Sequence, residues 1–232
     1  MFDIQIGEYS LSSKWGLRLL DLEPGSPEAD IKLKEIPGRN GNLDITEAQT
    51  GYTTYKNTSM KLTFDFVDGD YGTWLRKGSE IFNALHGKRE KVILGNEKTF
   101  YYEGRISVNT NKINKQFSKI EIEVNRDPYK YEKYSSTEDW LWDDFSFEDG
   151  IIREYKDLVV SGSLELHIPG RSMPVIPEFE CSASMSVTHN GKMFSLPAGR
   201  SKAPDLLLME GDNVLTFSGN GTVSVEHRGG SL

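Results

Sequence analysis

The sequence predicts a mainly β protein of two domains: an N-terminal β-sandwich or barrel-like domain with one α-helix, and a C-terminal jelly-roll β-sandwich. Three observations point to this class. Short segments in both halves alternate polar and apolar residues, the period of a half-buried strand. Only one segment has the apolar spacing of a helix. The 232 residues are enough for one large domain or two small ones.

The N-terminal half contains the clearest strand, residues 61–67, in which Leu62, Phe64 and Phe66 fall on one face. Similar alternation predicts strands at residues 2–6, 16–22, 32–36, 101–108 and 117–124. A sheet built from such strands has one apolar face, which another layer must cover.

Residues 71–85 are predicted to supply that layer as a helix. Apolar side chains and one glycine recur there at i, i+3, i+4 and i+7: Tyr71, Trp74, Leu75, Gly78, Ile81, Phe82 and Leu85. Asp70 is a suitable N-cap for this helix, and Gly87 a suitable end.

A polar stretch at residues 127–137 (DPYKYEKYSST) separates the halves, and the charge balance changes beside it. Residues 1–134 contain 20 basic and 20 acidic side chains, whereas residues 135–232 contain 7 and 15, so the net charge of −8 belongs to the second part. We therefore predict an N-terminal domain at 1–130, a connector at 131–137 and a C-terminal domain at 138–232.

The C-terminal domain begins with an acidic, aromatic segment, residues 138–150 (EDWLWDDFSFEDG). Trp140 and Trp142 in this segment are predicted to anchor it on a neighbouring surface, either within the chain or on a partner. Short strands follow at residues 151–155, 158–160, 164–168, 178–183, 185–189, 192–196, 205–209, 213–217 and 222–226. Asn190-Gly191 predicts a type I′ hairpin between two of them, and residues 210–213 (EGDN) predict another turn.

The pattern of reactive residues argues against an enzyme. The four histidines are scattered without metal-ligand spacing, and Cys181 lies inside a predicted strand. We therefore predict no catalytic residue, no cofactor and no metal. Two alternatives stay open: a carbohydrate-binding β-sandwich module, and a glycosidase that uses acids of the 138–150 segment.

Charge and hydropathy exclude further classes. The acidic balance argues against sequence-specific binding to nucleic acid, and no apolar run is long enough for membrane insertion. The first residues lack the basic and apolar regions of a secretory signal, and a single cysteine is typical of folding in a reducing cytosol.

Several segments, in this order, resemble the N-terminal domain of siphophage distal tail proteins. They are residues 36–46 (IPGRNGNLDIT), the strand at Lys61, the helix at 71–85, residues 92–107 (VILGNEKTFYYEGRIS) and residues 121–130 (EIEVNRDPYK). Residues 219–232 (GNGTVSVEHRGGSL) are similar to the terminal strand and tail of the same family. The resemblance spans nearly the whole chain.

The resemblance implies a non-enzymatic role as the hub of a tail tip or baseplate. Members form a homohexameric ring from their N-terminal domains, with galectin-like C-terminal sandwiches at its periphery. The expected partners are the major tail tube protein, the tail-associated hub or lysin protein and, in some phages, receptor-binding or baseplate proteins. The implied location is the virion tail tip, after synthesis in the host bacterial cytoplasm. A phage, a defective prophage or a tail-like bacteriocin would each fit.

Residues 36–54 are the best candidate for a contact between copies. Pro37, Gly38, Arg39, Asn40 and Asn42 make this segment too rich in turn-forming and polar residues for a core strand. We predict that it is an extended hairpin that reaches a neighbouring protomer, with a plain surface loop as the alternative. A closed ring requires such a head-to-tail interface between two different patches.

Overall fold

The computed structural model describes residues 3–66, 71–112, 118–138 and 154–232. These residues are mainly β, with several antiparallel sheets and two helices, which confirms the predicted fold class. The chain divides into two compact units. Unit 1 comprises Met1–Glu97 and Tyr102–Tyr129, and unit 2 comprises Lys98–Tyr101 and Lys130–Leu232.

Unit 1 is built around one antiparallel sheet and a helix. Its elements are β1 (Ile4–Ile6), β2 (Tyr9–Ser10), α1 (Leu11–Trp15), β3 (Leu17–Glu23), β4 (Leu33–Lys34), β5 (Leu43–Asp44), β6 (Thr58–Phe66), α2 (Tyr71–Leu85), β7 (Arg89–Leu94), β8 (Phe100–Lys112, beginning in unit 2) and β9 (Ser118–Arg126). The strand order is β2-β1-β7-β8-β9-β6-β3, while β4 and β5 form a separate two-stranded sheet.

The helix α2 has the predicted bounds and covers the apolar face of this sheet. Ile81 and Leu85 belong to the same buried core as the sheet residues Leu62 and Ile122. The helix ends as expected, since Gly87 has a φ of 77°. The expected N-cap, Asp70, lies outside the described residues.

The expectation of a single helix in the N-terminal half was wrong, because residues 11–15 form the short helix α1. Ser10 caps it by accepting a hydrogen bond from the backbone N–H of Ser13, and Gly16 ends it with a φ of 69°. Leu11 and Trp15 are buried on its inner side. A five-residue helix is too short for a periodic pattern, so only the cap residues could have indicated it.

Unit 2 is a second antiparallel β structure. Its strands are β10 (Lys130–Glu132), β11 (Leu158–Gly170), β12 (Glu178–Cys181), β13 (Met185–His189), β14 (Lys192–Leu196), β15 (Gly199–Lys202), β16 (Gly211–Glu226) and β17 (Gly230–Ser231). The order is β14-β13-β16-β12-β15, and β11 pairs with β16 along its full length. The core includes Phe179 and Phe217, whose rings meet edge to face at 6.0 Å.

Three of the sequence expectations differ from unit 2 as observed. The predicted strands at 158–160 and 164–168 are parts of β11, and those at 213–217 and 222–226 are parts of β16. Residues 205–209 form only an isolated bridge, between Leu208 and Val175. The Asn190-Gly191 turn is confirmed: both residues have positive φ, 49° and 74°, between β13 and β14.

The predicted connector at residues 131–137 is packed within unit 2. Its first residues belong to β10, which pairs with Phe100 and Tyr101 on one side and with β17 on the other. Ser136 is buried; its hydroxyl donates to the carbonyl of Val225 and accepts from the N–H of His227. A segment with these bonds is part of the fold rather than a free linker.

Candidate oligomer interface

The residues predicted to contact another copy lie on a projection of unit 1, residues 24–57, which connects β3 to β6. We call it the arm. Its only strands are β4 and β5, which pair with Leu33 opposite Asp44 and Lys34 opposite Leu43. A hairpin is therefore present at residues 33–44, so its first strand lies before the predicted 36–54 segment. Each strand has two residues, instead of the five of the predicted strand at 32–36.

A turn and a bend form the tip of the arm. The N–H of Arg39 donates to the carbonyl of Ile36 at 3.1 Å, across Pro37 and Gly38, and Gly38 has a φ of 80°. Proline followed by a glycine with positive φ is the residue pair of a type II turn. All five candidate residues (Pro37, Gly38, Arg39, Asn40 and Asn42) are exposed at this tip.

Backbone and side-chain hydrogen bonds hold the middle of the arm. The N–H of Asp30 donates to the carbonyl of Thr54, and the N–H of Lys56 to that of Glu28. Asp44 accepts from both the N–H and the hydroxyl of Thr46, and these bonds lower the pKa of its carboxyl group. The arm therefore has a defined backbone although few of its side chains are buried.

Arg126 fixes the base of the arm. Its guanidinium is buried and donates to the carbonyls of Pro24 and Gly25 from β9, at 3.0 Å each. It also donates to the carbonyls of Asp127 and Pro128 and lies over the ring of Tyr102. Burial lowers the pKa of Arg126, so the four carbonyl acceptors and the ring replace the water that this cation has lost.

The arm carries two large apolar side chains that its own fold does not cover. Ile31 is 62% exposed and Leu33 is 56% exposed, close in sequence to the candidate tip. The exposure of these two residues was not expected from the sequence, because the alternation of polar and apolar residues at 32–36 predicts a half-buried strand there. Their apolar character on a polar, turn-rich projection was the signal that could have revealed them.

A second apolar surface lies on α2. Leu75 and Phe82 are 46% and 41% exposed, although the sequence placed both on the helix stripe that faces the core. Phe82 stacks on the ring of His86, and His86 accepts a hydrogen bond from the N–H of Val108 at its Nδ1. His86 thus has a structural position at the helix end, and Leu75 and Phe82 form an apolar surface in unit 1 distinct from the arm.

The other predicted anchors, Trp140 and Trp142, lie outside the described residues. Cys181 is buried, and burial raises the pKa of its thiol, which disfavours the nucleophilic thiolate. Within the described ranges, no three His, Cys, Asp or Glu side chains come together as a metal site. No helix in the described part of the chain is long and apolar enough to cross a membrane.

The fold is similar to that of a phage protein of known structure. Nine chains of solved structures match it. One is the crystal structure of the SPP1 Dit protein (gp 19.1), described as a paradigm of the hub adsorption apparatus in phages that infect Gram-positive bacteria. It superposes with a TM-score of 0.64 over 98% of this chain and 99% of its own, at 11% sequence identity. No protein-family model matches the sequence, and no curated protein does.

Proposed function

We propose that this chain is a structural protein of a phage tail tip: a distal tail, or baseplate hub, protein of a siphophage or prophage. It forms a hexameric ring that joins the tail tube to the tail-associated hub or lysin protein and to the host-adhesion apparatus. The observation that carries the proposal is the similarity in fold to SPP1 Dit, which includes both units almost to their ends. This role requires binding surfaces and no catalytic group.

In this proposal the ring consists of the N-terminal domains, residues 1–130, and the C-terminal domains, residues 138–232, form a galectin-like periphery. The charge distribution supports the assignment. Residues 1–134 carry no net charge, so copies can pack side by side without strong repulsion. In the proposed ring the second part, which carries the net charge of −8, faces solvent, where like charges are screened.

The arm is the proposed contact between neighbouring protomers. It combines a defined backbone, two uncovered apolar side chains at Ile31 and Leu33, and a polar tip around Arg39 and Asn40. Such a surface suits a head-to-tail interface, in which the arm of one protomer meets a different patch on the next. The apolar side chains would be buried in the interface, and hydrogen bonds from the tip would fix the orientation of the two protomers.

The oligomer is tested on the purified full chain by negative-stain imaging and light scattering. A six-fold ring with a central hole supports the proposal, whereas a monomer at all concentrations contradicts it. A monomer that binds glycans on an array would instead support the carbohydrate-binding alternative.

The arm assignment needs its own variant. Arg39→Ala combined with Asn40→Ala should weaken the ring and leave unit 1 folded by circular dichroism. Lys192→Ala combined with Met193→Ala changes the exposed β13–β14 hairpin in unit 2 and is the matched control. A ring of unchanged stability in the arm variant would remove the arm from the interface without affecting the hub proposal.

A further inference from the structure

The chain contains three Asn-Gly pairs: Asn40-Gly41, Asn190-Gly191 and Asn220-Gly221. In such pairs the backbone nitrogen of the glycine can attack the side-chain carbonyl carbon of the asparagine. A C–N bond forms, the side-chain nitrogen leaves as ammonia, and water then opens the resulting succinimide to aspartate or isoaspartate. The reaction needs only solvent water and base. An asparagine or glycine that is held by hydrogen bonds or strand pairing must first leave that conformation.

The structure restrains Asn190 in a conformation that disfavours this reaction. It occupies the first position of a type I′ turn, with φ of 49°, and strand pairing between His189 and Lys192 closes the turn. Its side-chain nitrogen also lies 3.1 Å from Nε2 of His189. Attack by the nitrogen of Gly191 would require the turn to open and this contact to break.

Asn220 is held in a different way. It lies within β16, opposite Ser161 of β11, in an uninterrupted antiparallel ladder. Its side-chain oxygen accepts a hydrogen bond from the N–H of Gly162 at 3.1 Å. The same carbonyl group that Gly221 would attack is therefore fixed to the neighbouring strand.

Asn40 has neither restraint. It lies in a bend at the exposed tip of the arm, outside the β4–β5 pairing. Among the hydrogen bonds of the described residues, none involves its side chain or the N–H of Gly41. A Cβ at Gly41 would meet nothing within 4 Å, so the space around the attacking nitrogen is open.

We propose that Asn40 is a site of spontaneous deamidation on the unassembled protein, and that ring assembly protects it. The second clause rests on the proposed function, because protection requires the arm tip to be buried against a neighbour. The reaction places a carboxylate beside Arg39, and its isoaspartate product also lengthens the tip backbone by one carbon. Either product changes the surface that the neighbouring protomer must recognise, so reacted protomers are excluded from the ring.

The first test uses the full chain as an unassembled protomer, incubated at mildly alkaline pH and cut with a glutamate-specific protease. Isoaspartate in peptide 36–47 is measured by mass spectrometry and enzymatic methylation. We expect Asn40 to react about tenfold faster than Asn190 or Asn220, which corresponds to about 1.4 kcal/mol of activation free energy. In concentrated urea the three rates should converge, because the restraints on Asn190 and Asn220 are then lost.

Two further samples complete the test. Asn40→Gln should abolish isoaspartate in peptide 36–47, since the longer side chain closes a less favourable ring, and it leaves the tip uncharged. Equal native rates at the three sites, or a faster rate at Asn190, would overturn the assignment of Asn40 whether or not a ring forms. In isolated rings Asn40 should stay unmodified. Equal deamidation rates at Asn40 in the ring and in the protomer would contradict protection by the ring, but not the reactivity of Asn40 itself.

Discussion

Arg126 and Gly25 are 101 residues apart in the chain, and the guanidinium of Arg126 donates a 3.0 Å hydrogen bond to the carbonyl of Gly25. Arg126→Met would remove this donor while keeping an apolar stem over Tyr102, and would leave the carbonyls of Pro24 and Gly25 without it. We expect a loss of about 1.5–3 kcal/mol, the contribution of a hydrogen bond that involves a charged group, since both bonds are part-buried. Hydrogen exchange should accelerate at the N–H groups of Asp30 and Lys56.

A conservative variant separates charge from geometry at the same site. Arg126→Lys keeps the cation but cannot present several donors in a fixed plane, so we expect it to restore only part of the stability. Arm exchange rates equal to those of the unmodified protein in both variants would contradict a clamp at the base of the arm.

Gly25→Ala should destabilise unit 1 more than Gly51→Ala. Both glycines have positive φ, 68° and 78°, so both substitutions carry the strain of a left-handed alanine. A Cβ at Gly25 would lie 2.2 Å from the carbonyl oxygen of Ser59, whereas one at Gly51 would meet nothing within 4 Å. The clash should add about 1–3 kcal/mol. Urea unfolding of the two variants measures the difference, and equal midpoints would refute it.

His167 should make unit 2 less stable as the pH rises above 6.5. Hydrogen bonds to Asp212 and then to Glu165 raise the pKa of this exposed imidazole above its ordinary value of 6.5. A raised pKa in the folded state stabilises the fold fully below 6.5, and this contribution fades as the pH passes the folded pKa. His167→Gln should remove that part of the pH dependence, measured by urea unfolding at a series of pH values.

Cys181 should react slowly with iodoacetamide in the folded protein. Its side chain is 3% exposed and burial raises the pKa of its thiol, so both access and thiolate content are low. In urea the reaction should reach the rate of a free peptide thiol. The folded rate therefore reports local opening of unit 2 near β12, and a native rate equal to that in urea would contradict the burial of this side chain.

Elements with strong local signals were predictable from the sequence. The helix α2 has the predicted bounds because four turns of apolar spacing are long enough to be distinctive. The Asn190-Gly191 turn was equally clear, since both positions require positive φ. These elements follow from neighbouring residues alone.

The prediction of two short strands in place of each of β11 and β16 was wrong at glycines where neighbouring segments approach closely. Gly162 of β11 lies opposite Gly219 of β16, and a Cβ at Gly219 would lie 2.8 Å from the Cβ of Met185. The predicted strands stop on either side of these glycines, at 158–160 and 164–168 and at 213–217 and 222–226, whereas in the structure both glycines lie inside continuous strands. The reason is a contact between distant segments, which a local pattern cannot contain.

The candidate interface was predictable only in part. Turn residues placed the arm tip at Pro37 to Asn42. The exposure of Ile31 and Leu33, however, depends on which side of the arm other segments pack against. Arg126 has no distinctive sequence context, although its guanidinium fixes the base of the arm from β9. Both features arise from tertiary packing.

The bonds between residues 131–137 and the end of the chain also set an order of events during synthesis. Ser136 can accept its hydrogen bond only after His227, 91 residues later, has been synthesised, and β10 can pair with β17 only after β17 has been synthesised. Unit 2 therefore cannot complete its fold until residues 227–231 have left the ribosome, whereas unit 1 ends at Tyr129 and all of its residues are synthesised much earlier. A nascent chain paused before residue 227 should therefore contain a folded unit 1 with its arm and an incomplete, protease-sensitive unit 2. If the arm makes the proposed contact between protomers, it would be available for that contact before unit 2 is complete.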